Sequence, residues 1–323
     1  SERDGPSMAA PAAEDGDARL CGTYKRIFAL RNEESVEAVD TLVELFGATT
    51  SVLLRHEIAY VLGQMQLEHA EPFLKRVLAD ADEHAITRHE AAEALGAIGS
   101  ESNLDILRRF SSDPAPEVAQ TCELAVHRIE HAIERGLCAC ERGVQAALAR
   151  DAADSEGARV PAESREPAKH SAYVTVDPAL KPEGALSLDA ARAMLTNESA
   201  PLHERYGALF ALRDMNSREA SLALAEGLRE RSSALFRHEV AFVLGQVEDA
   251  ATAEQLKASL ADTGEHPMVR HEAAEALGAI GSAEAVELLR RYARDTEPIV
   301  AESCVVALGM YDRDGFGDAG VQV

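Results

Sequence analysis

The sequence predicts an all-α protein, a solenoid of stacked helix pairs arranged as two pseudo-symmetric halves. Three observations predict it. Of 323 residues, 46% are hydrophobic but only 4% aromatic, and Trp is absent. With abundant Ala, Leu and Glu, that mixture suits helices packed through small and aliphatic side chains rather than a β-sandwich. Second, sliding the sequence over itself by 182 positions aligns Tyr24–Val126 with Tyr206–Leu308 without a gap. Third, a period of about 33 runs inside each half, with starts near 23, 56, 89 and 122 and again near 205, 238, 271 and 304. A helical period of this length marks repeats that bury their apolar faces only against their neighbours.

In chain order, residues 1–20 are expected to be a loose N-terminal tail and 21–137 the first half, of about four helix pairs. FALR at 28–31, Glu83-His84, RHEAAEALGAIGS at 88–100, LRRF at 107–110 and Cys122 mark its register. Residues 138–185 break the pattern with DAADSEGARVPAESREPAKHS, polar and rich in Pro, Gly and Ser, which reads as a flexible linker. Deleting 145–175 is expected to leave activity largely intact. The second half, 186–311, repeats the markers as FALR at 210–213, Glu265-His266, RHEAAEALGAIGS at 270–282, LRRY at 289–292 and Cys304. One unit is legible directly: Pro267 starts a helix that Gly281 ends, and Ser282 caps AEAVELLRRYARD, whose apolar residues fall near helical spacing. Residues 312–323, DRDGFGDAGVQV, are expected to form the C-terminal tail.

A net charge of −24 argues against nucleic acid as a partner and favours cationic ligands or basic proteins. No stretch approaches the length of a membrane-spanning helix, so no membrane partner is expected. The five cysteines, Cys21, Cys122, Cys138, Cys140 and Cys304, are odd in number and form no CxxC pair. Reduced thiols, including Cys138 and Cys140, and a cytoplasmic location follow as expectations.

One chemical feature recurs at a fixed point of the pattern: His56-Glu57, His89-Glu90, His238-Glu239 and His271-Glu272. The flanking unit of each half carries Cys122-Glu123 or Cys304-Val305 at that point, so the solenoid does not itself require His there. Adjacent helices stack about 10 Å apart, and equivalent residues on them point the same way. His56 and His89 can therefore converge on one ion, and His238 and His271 on another. Imidazole and carboxylate are good ligands for a divalent metal, and two His with one carboxylate and open positions suit non-haem iron and oxygen. Consecutive helical residues lie roughly 100° apart around the axis, so one Glu per half can ligate while the other orients a ligand or meets substrate. If the halves face each other, the two ions form one dinuclear centre. Metal-free structural or capping pairs, two mononuclear sites and a dinuclear zinc hydrolase are competing readings.

Other polar residues of the motifs read differently. His203-Glu204 falls out of register and reads as surface; His84 and His266 read as polar turn residues. Arg55, Arg88, Arg237 and Arg270 precede the four pairs and read as exposed salt bridges on the far side of their helices.

Four in-register His-Glu pairs in two symmetric halves closely resemble the deoxyhypusine hydroxylase family. The resemblance spans nearly all of Tyr24–Leu308 except the linker. It implies a HEAT-like helical-repeat solenoid whose halves face each other around a dinuclear metal site. It implies one iron on His56, His89 and Glu90 and another on His238, His271 and Glu272, with Glu57 and Glu239 as catalytic carboxylates beside the substrate or orienting a ligand. The implied reaction is an O2-dependent monooxygenation of the deoxyhypusine side chain of eukaryotic initiation factor 5A to hypusine, using two Fe2+ and an external reductant. A non-catalytic scaffold, or a repeat protein resembling the bilin lyases, is the competing reading, and neither gives a reason for symmetric pairs.

Overall fold

The computed structural model describes residues 10–136, 175–180 and 184–311, and within them the chain forms fifteen α-helices joined by turns and short 3₁₀ segments. Eight are inner helices: α1 (Ala10–Arg31), α3 (Val52–Gln64), α5 (Ala85–Ile98), α7 (Pro116–Glu134), α9 (Leu202–Met215), α11 (Ala234–Val247), α13 (Pro267–Ile280) and α15 (Pro298–Tyr311). The others pack outside them: α2 (Val36–Ala48), α4 (Glu71–Ala79), α6 (Leu104–Phe110), α8 (Leu188–Leu195), α10 (Arg218–Ala225), α12 (Ala253–Ala261) and α14 (Ala283–Tyr292).

Local chemistry sets the helix ends. Ser51, Ser233 and Ser282 each accept a backbone N–H from the first turn, as N-caps do. His84 and His266 do the same through Nδ1, accepting from the amides of Ile86 and Met268, so their turn role is that of helix caps. Gly99 and Gly281 end α5 and α13 at φ 73° and 64°, a left-handed geometry that costs glycine little.

The repeated Leu-Gly step is what lets the inner helices stack closely. A Cβ on Gly63 would lie 2.6 Å from the Ala94 Cα, and one on Gly278 2.7 Å from the Ala307 Cβ. Each half is thereby a tight stack, α1-α3-α5-α7 and α9-α11-α13-α15. The stacks then meet end to end, α1 against α15 and α7 against α9 and α11, so the inner helices close on one another. Two contacts 182 positions apart tie the halves by pseudo-symmetry: Ser51 Oγ donates to Glu302 at 2.6 Å and Ser233 Oγ to Gln120 at 2.7 Å.

Three sequence expectations change. The tail boundary at residue 20 falls inside α1, which begins at Ala10 and buries Tyr24 and Ile27. The linker is not loose throughout, because residues 175–180 form a strap across both halves. Gln64 donates to the Val176 carbonyl and accepts from its N–H, Arg128 donates to the Asp177 carbonyl, and Arg213 and Gln246 hold the Asp177 and Thr175 side chains. Thr175 thus belongs to the strap although it lay in the span expected to be dispensable. Residues 1–9, 137–174, 181–183 and 312–323, with Cys138 and Cys140, lie outside the described residues.

The third change concerns the arginines. All four make ion pairs, with Glu83, Asp113, Glu265 and Asp295, but Arg88 and Arg270 are only 7% and 4% exposed. Each acid comes from the following unit and closes over the guanidinium. Phe110 and Tyr292 rings lie 5.6 Å from the Arg88 and Arg270 guanidinium carbons, completing the cover. At Arg88 and Arg270 the pairing is buried stitching between repeats rather than a surface feature, while Arg55 and Arg237 stay partly exposed.

Candidate metal centre

Each His-Glu pair occupies the fifth and sixth residues of an inner helix, α3, α5, α11 or α13, and all eight side chains are buried. The arginine before each pair fixes the register. Arg88 and Arg270 donate Nε to carbonyls ten residues earlier, Leu78 and Leu260, and Arg205 on α9 does the same to Leu195. Tyr206, and Tyr24 by the offset of 182, therefore stand where the inner four helices carry His.

The four imidazoles converge. Ring centroids are 5.6 Å apart for His56 and His89 and 5.4 Å for His238 and His271 within the halves. Between the halves they are 5.2 Å apart for His56 and His271 and 5.5 Å for His89 and His238. His56 Nε2 lies 3.2 Å from Glu90 Oε2, and the symmetry-related His238 Nε2 lies 3.3 Å from Glu272 Oε2. Ligand atoms of His56, His89 and Glu90 all fall within 4.8 Å of one another, as do those of His56, His238 and His271. All four expected pairs are brought together.

The protein alone leaves this cluster unsatisfied. Apart from His56 Nδ1, which is 3.1 Å from Glu57 Oε1, every ring nitrogen of the four histidines is buried without a hydrogen-bond partner, and so is Glu239 Oε1. Such groups cost free energy unless something binds them. A cation is the natural occupant, since converging imidazole nitrogens and carboxylates are all donors of electron pairs. The residues present could hold a divalent metal ion.

Electrostatics point the same way. Burial, with His56 beside it, pulls His238 down to about 3. Burial and the neighbouring imidazoles likewise lower His89 and His271, keeping them neutral and able to ligate. Burial opposes protonation of His56 too, but Glu90 and Glu57 outweigh it and hold its pKa high. Burial and then Glu275 push Glu57 up to about 8, and burial also raises Glu239 and Glu272. Those shifts arise from protein groups alone, and a divalent cation among them would reverse the carboxylate shifts.

A narrow pocket of about 30 Å³ opens onto the cluster, and its walls include residues the sequence reading did not single out. Glu93 and Glu275 follow the two repeated pairs by one helical turn, and Tyr60 and Phe242 stand at the same point of α3 and α11. The signal for both glutamates was present, since they are part of the duplicated RHEAAE. The aromatics differ between the halves, so repetition could not flag them. His203 stays out of the site as expected, but it is half-buried and stacks on His127 with centroids 3.7 Å apart.

Residues 39–126 and 221–309 match the family described as HEAT repeats. The deoxyhypusine hydroxylase of Gallus gallus is 47% identical over 298 residues, 92% of this chain and 89% of that one. The Homo sapiens protein of the same name is 44% identical over 295 residues, 91% of this chain and 87% of that one. A solved structure of human deoxyhypusine hydroxylase in complex with glycerol superposes with a TM-score of 0.77 at 41% identity, covering 95% of this chain and 99% of that one.

Proposed function

Because the chain belongs to the deoxyhypusine hydroxylase family, we propose that its four His-Glu pairs hold two iron ions that serve O2-dependent hydroxylation of deoxyhypusine on eukaryotic initiation factor 5A. One ion takes His56, His89 and Glu90, and the other takes His238, His271 and Glu272. The observation that carries the reading is the set of buried imidazole nitrogens without partners. Inserting oxygen into an unactivated C–H bond needs an oxidant that no side chain supplies, and reduced iron supplies the electrons with which O2 is activated. One oxygen atom enters the C–H bond and the other leaves as water, consuming two electrons and two protons from an external reductant.

The chain's own residues do the rest. His89, His238 and His271 stay neutral in a dry site and present lone pairs. Glu57 holds the His56 ring through Nδ1, which leaves Nε2 directed at the centre. Glu239, with an unpaired oxygen, faces the pocket where substrate would enter. The aromatic walls exclude water, and the carboxylates suit a long polyamine-like cation. A cytoplasmic location fits a substrate of the translation machinery, and no described helix is long and apolar enough to cross a membrane.

Metal analysis joined to turnover tests this. Two iron ions per chain are expected, lost in His56→Ala and His271→Ala with helical content kept. The deoxyhypusine form of the factor is expected to be hydroxylated only with iron, O2 and reductant. Stoichiometric zinc in the active protein, or no hydroxylation by the iron-loaded wild type, would overturn the reading.

A further inference from the structure

The pseudo-twofold relating the halves breaks inside the pocket. Glu275 is fully engaged: Tyr24 Oη donates to it at 3.0 Å across the interface between halves, and Ser303 Oγ donates at 2.9 Å. The counterparts of these three residues, 182 positions away, are Glu93, Tyr206 and Thr121. Tyr206 donates instead to the Leu235 carbonyl at 3.4 Å, and Thr121 to the Glu117 carbonyl at 2.8 Å. Neither reaches Glu93, which lines the pocket with no hydrogen bond or ion pair among the described residues.

A second break lies on the facing helices. Tyr60 and its counterpart Phe242 meet edge to face across the pocket, with centroids 5.9 Å apart. Tyr60 is 8% exposed and its hydroxyl has no partner, whereas Phe242 has no polar group at all. The C-terminal half of a two-fold site therefore has its carboxylate hydrogen-bonded and its ring apolar. The N-terminal half contributes a free carboxylate and a free phenol.

We propose that Glu93 and Tyr60 bind an ammonium group of the substrate side chain, and that this broken symmetry decides which way round the chain lies over the metals. The proposal rests on the preceding reading of the substrate as a polyamine-like side chain. A carboxylate in a partly dry pocket prefers an ammonium over a neutral group, through a charge-assisted hydrogen bond. The phenol oxygen can accept a second N–H, and the ring face adds attraction for the cation. In the other half, Tyr24 and Ser303 already donate to each oxygen of Glu275, so an ammonium there has less to bind. A symmetric pair of metal ions cannot distinguish the two directions of a bound chain. Glu93 and Tyr60 can.

The test compares Glu93→Gln and Tyr60→Phe with Glu275→Gln, all iron-loaded. Anaerobic affinity for the deoxyhypusine-bearing protein is measured separately from turnover, and iron content is checked. Glu93→Gln is expected to weaken affinity and raise KM roughly tenfold, with kcat falling less than KM rises and iron retained. Tyr60→Phe is expected to shift both in the same direction by less, and Glu275→Gln by less than Glu93→Gln. A short α,ω-diaminoalkane should compete on the wild type and roughly tenfold less on Glu93→Gln, while a diol of equal length competes on neither. Unchanged affinity and unchanged diamine competition in Glu93→Gln, or an equal loss in Glu275→Gln, would refute the proposal. A wild type that binds the modified protein without hydroxylating it refutes the hydroxylation reading alone, and the affinities still decide this one. A wild type that binds it no better than the unmodified-lysine form refutes both.

Discussion

Arg213 on α9 and Asp177 in the strap form a two-pronged ion pair, with both guanidinium Nη atoms 2.7 Å from the two carboxylate oxygens. Arg213 is 1% exposed, so its charge depends on carboxylates rather than on water: Asp177, with Asp214 accepting from its Nε at 3.2 Å. Gln246 of α11 joins the cluster at 3.1 Å, and Arg128 of α7 and Gln64 of α3 hold the strap backbone from the other half. The strap is thus part of what fixes the halves around the candidate metal centre.

Asp177→Ala should therefore destabilise the protein by about 1–3 kcal/mol, because it removes the two-pronged partner of a buried cation and leaves Asp214 beside Nε. Urea unfolding of the iron-loaded protein measures it, and Asp177→Asn, which keeps two acceptor-donor positions but no charge, should lose less. A loss under half a kilocalorie in the alanine variant would show the strap to be an ornament on a scaffold that closes without it.

Helix contact gives a second, opposed pair of outcomes. At Gly278 an added methyl would lie 2.9 Å from the Ala307 Cα and 3.2 Å from its carbonyl oxygen, backbone atoms that cannot turn aside. Gly278→Ala should cost about 1–3 kcal/mol despite the better helix propensity of alanine. Gly47, on the outer helix α2, has nothing within 4 Å of the same methyl. Gly47→Ala should raise the melting temperature, by propensity worth up to about 1 kcal/mol. Equal effects at the two sites would contradict the account of the Leu-Gly step as a packing device.

What the sequence disclosed and withheld follows from the range of the contacts. The period and the duplication were legible because repeats stack on neighbours of the same pattern, and the His-Glu pairs stood out because the flanking inner helices carry Tyr or Cys in their place. The burial of Arg88 and Arg270 was not legible, since it comes from acids 25 residues on and from rings of the outer helices. Nor could the strap be read, because Asp177 looks like any other linker acid until Arg213 is beside it. The free state of Glu93 was the least accessible. Its sequence is identical to that of Glu275 through thirteen residues, and only distant donors, Tyr24 and Ser303 against Tyr206 and Thr121, tell them apart.

The candidate metal centre also predicts a trade between stability and function. His89 is 0% exposed and both its ring nitrogens lack partners, a cost that metal binding removes. His89→Leu should bind less iron yet melt higher than the wild type once both are stripped by a chelator, by about 1–2 kcal/mol from the unmet polar groups. Adding iron back should reverse the order, raising the wild type by about 2.7 kcal/mol at a hundredfold excess over its dissociation constant. Differential scanning calorimetry with and without iron reads both. A chelated His89→Leu less stable than the chelated wild type would mean the imidazole is held by the protein after all.

Acid should unfold the chain through the stitches between repeats. Burial pushes Asp113 upward, but the hydrogen bonds from Arg88 and the Ala115 amide outweigh it and hold its pKa below the usual range. The hydrogen bond from Arg270 does the same for Asp295 against burial, with help from the Glu297 amide. A carboxyl whose pKa is lower folded than unfolded contributes stability above its unfolded value, about 3.9, and that contribution is lost as pH falls through the folded value. Urea midpoints should therefore fall below about pH 4 through these two pairs, on top of a loss that begins below about pH 6.5, where the unfolded chain protonates His89, His238 and His271 and the folded chain keeps them neutral. Asp295→Asn should lower the midpoint at neutral pH and flatten the acid limb, because the variant has no proton to take up there. Since Asp113 and Asp295 are counterparts in the two halves, the double variant should flatten it further by a similar amount, the sites being independent stitches. An acid limb as steep in the double variant as in the wild type would place the acid sensitivity elsewhere in the fold.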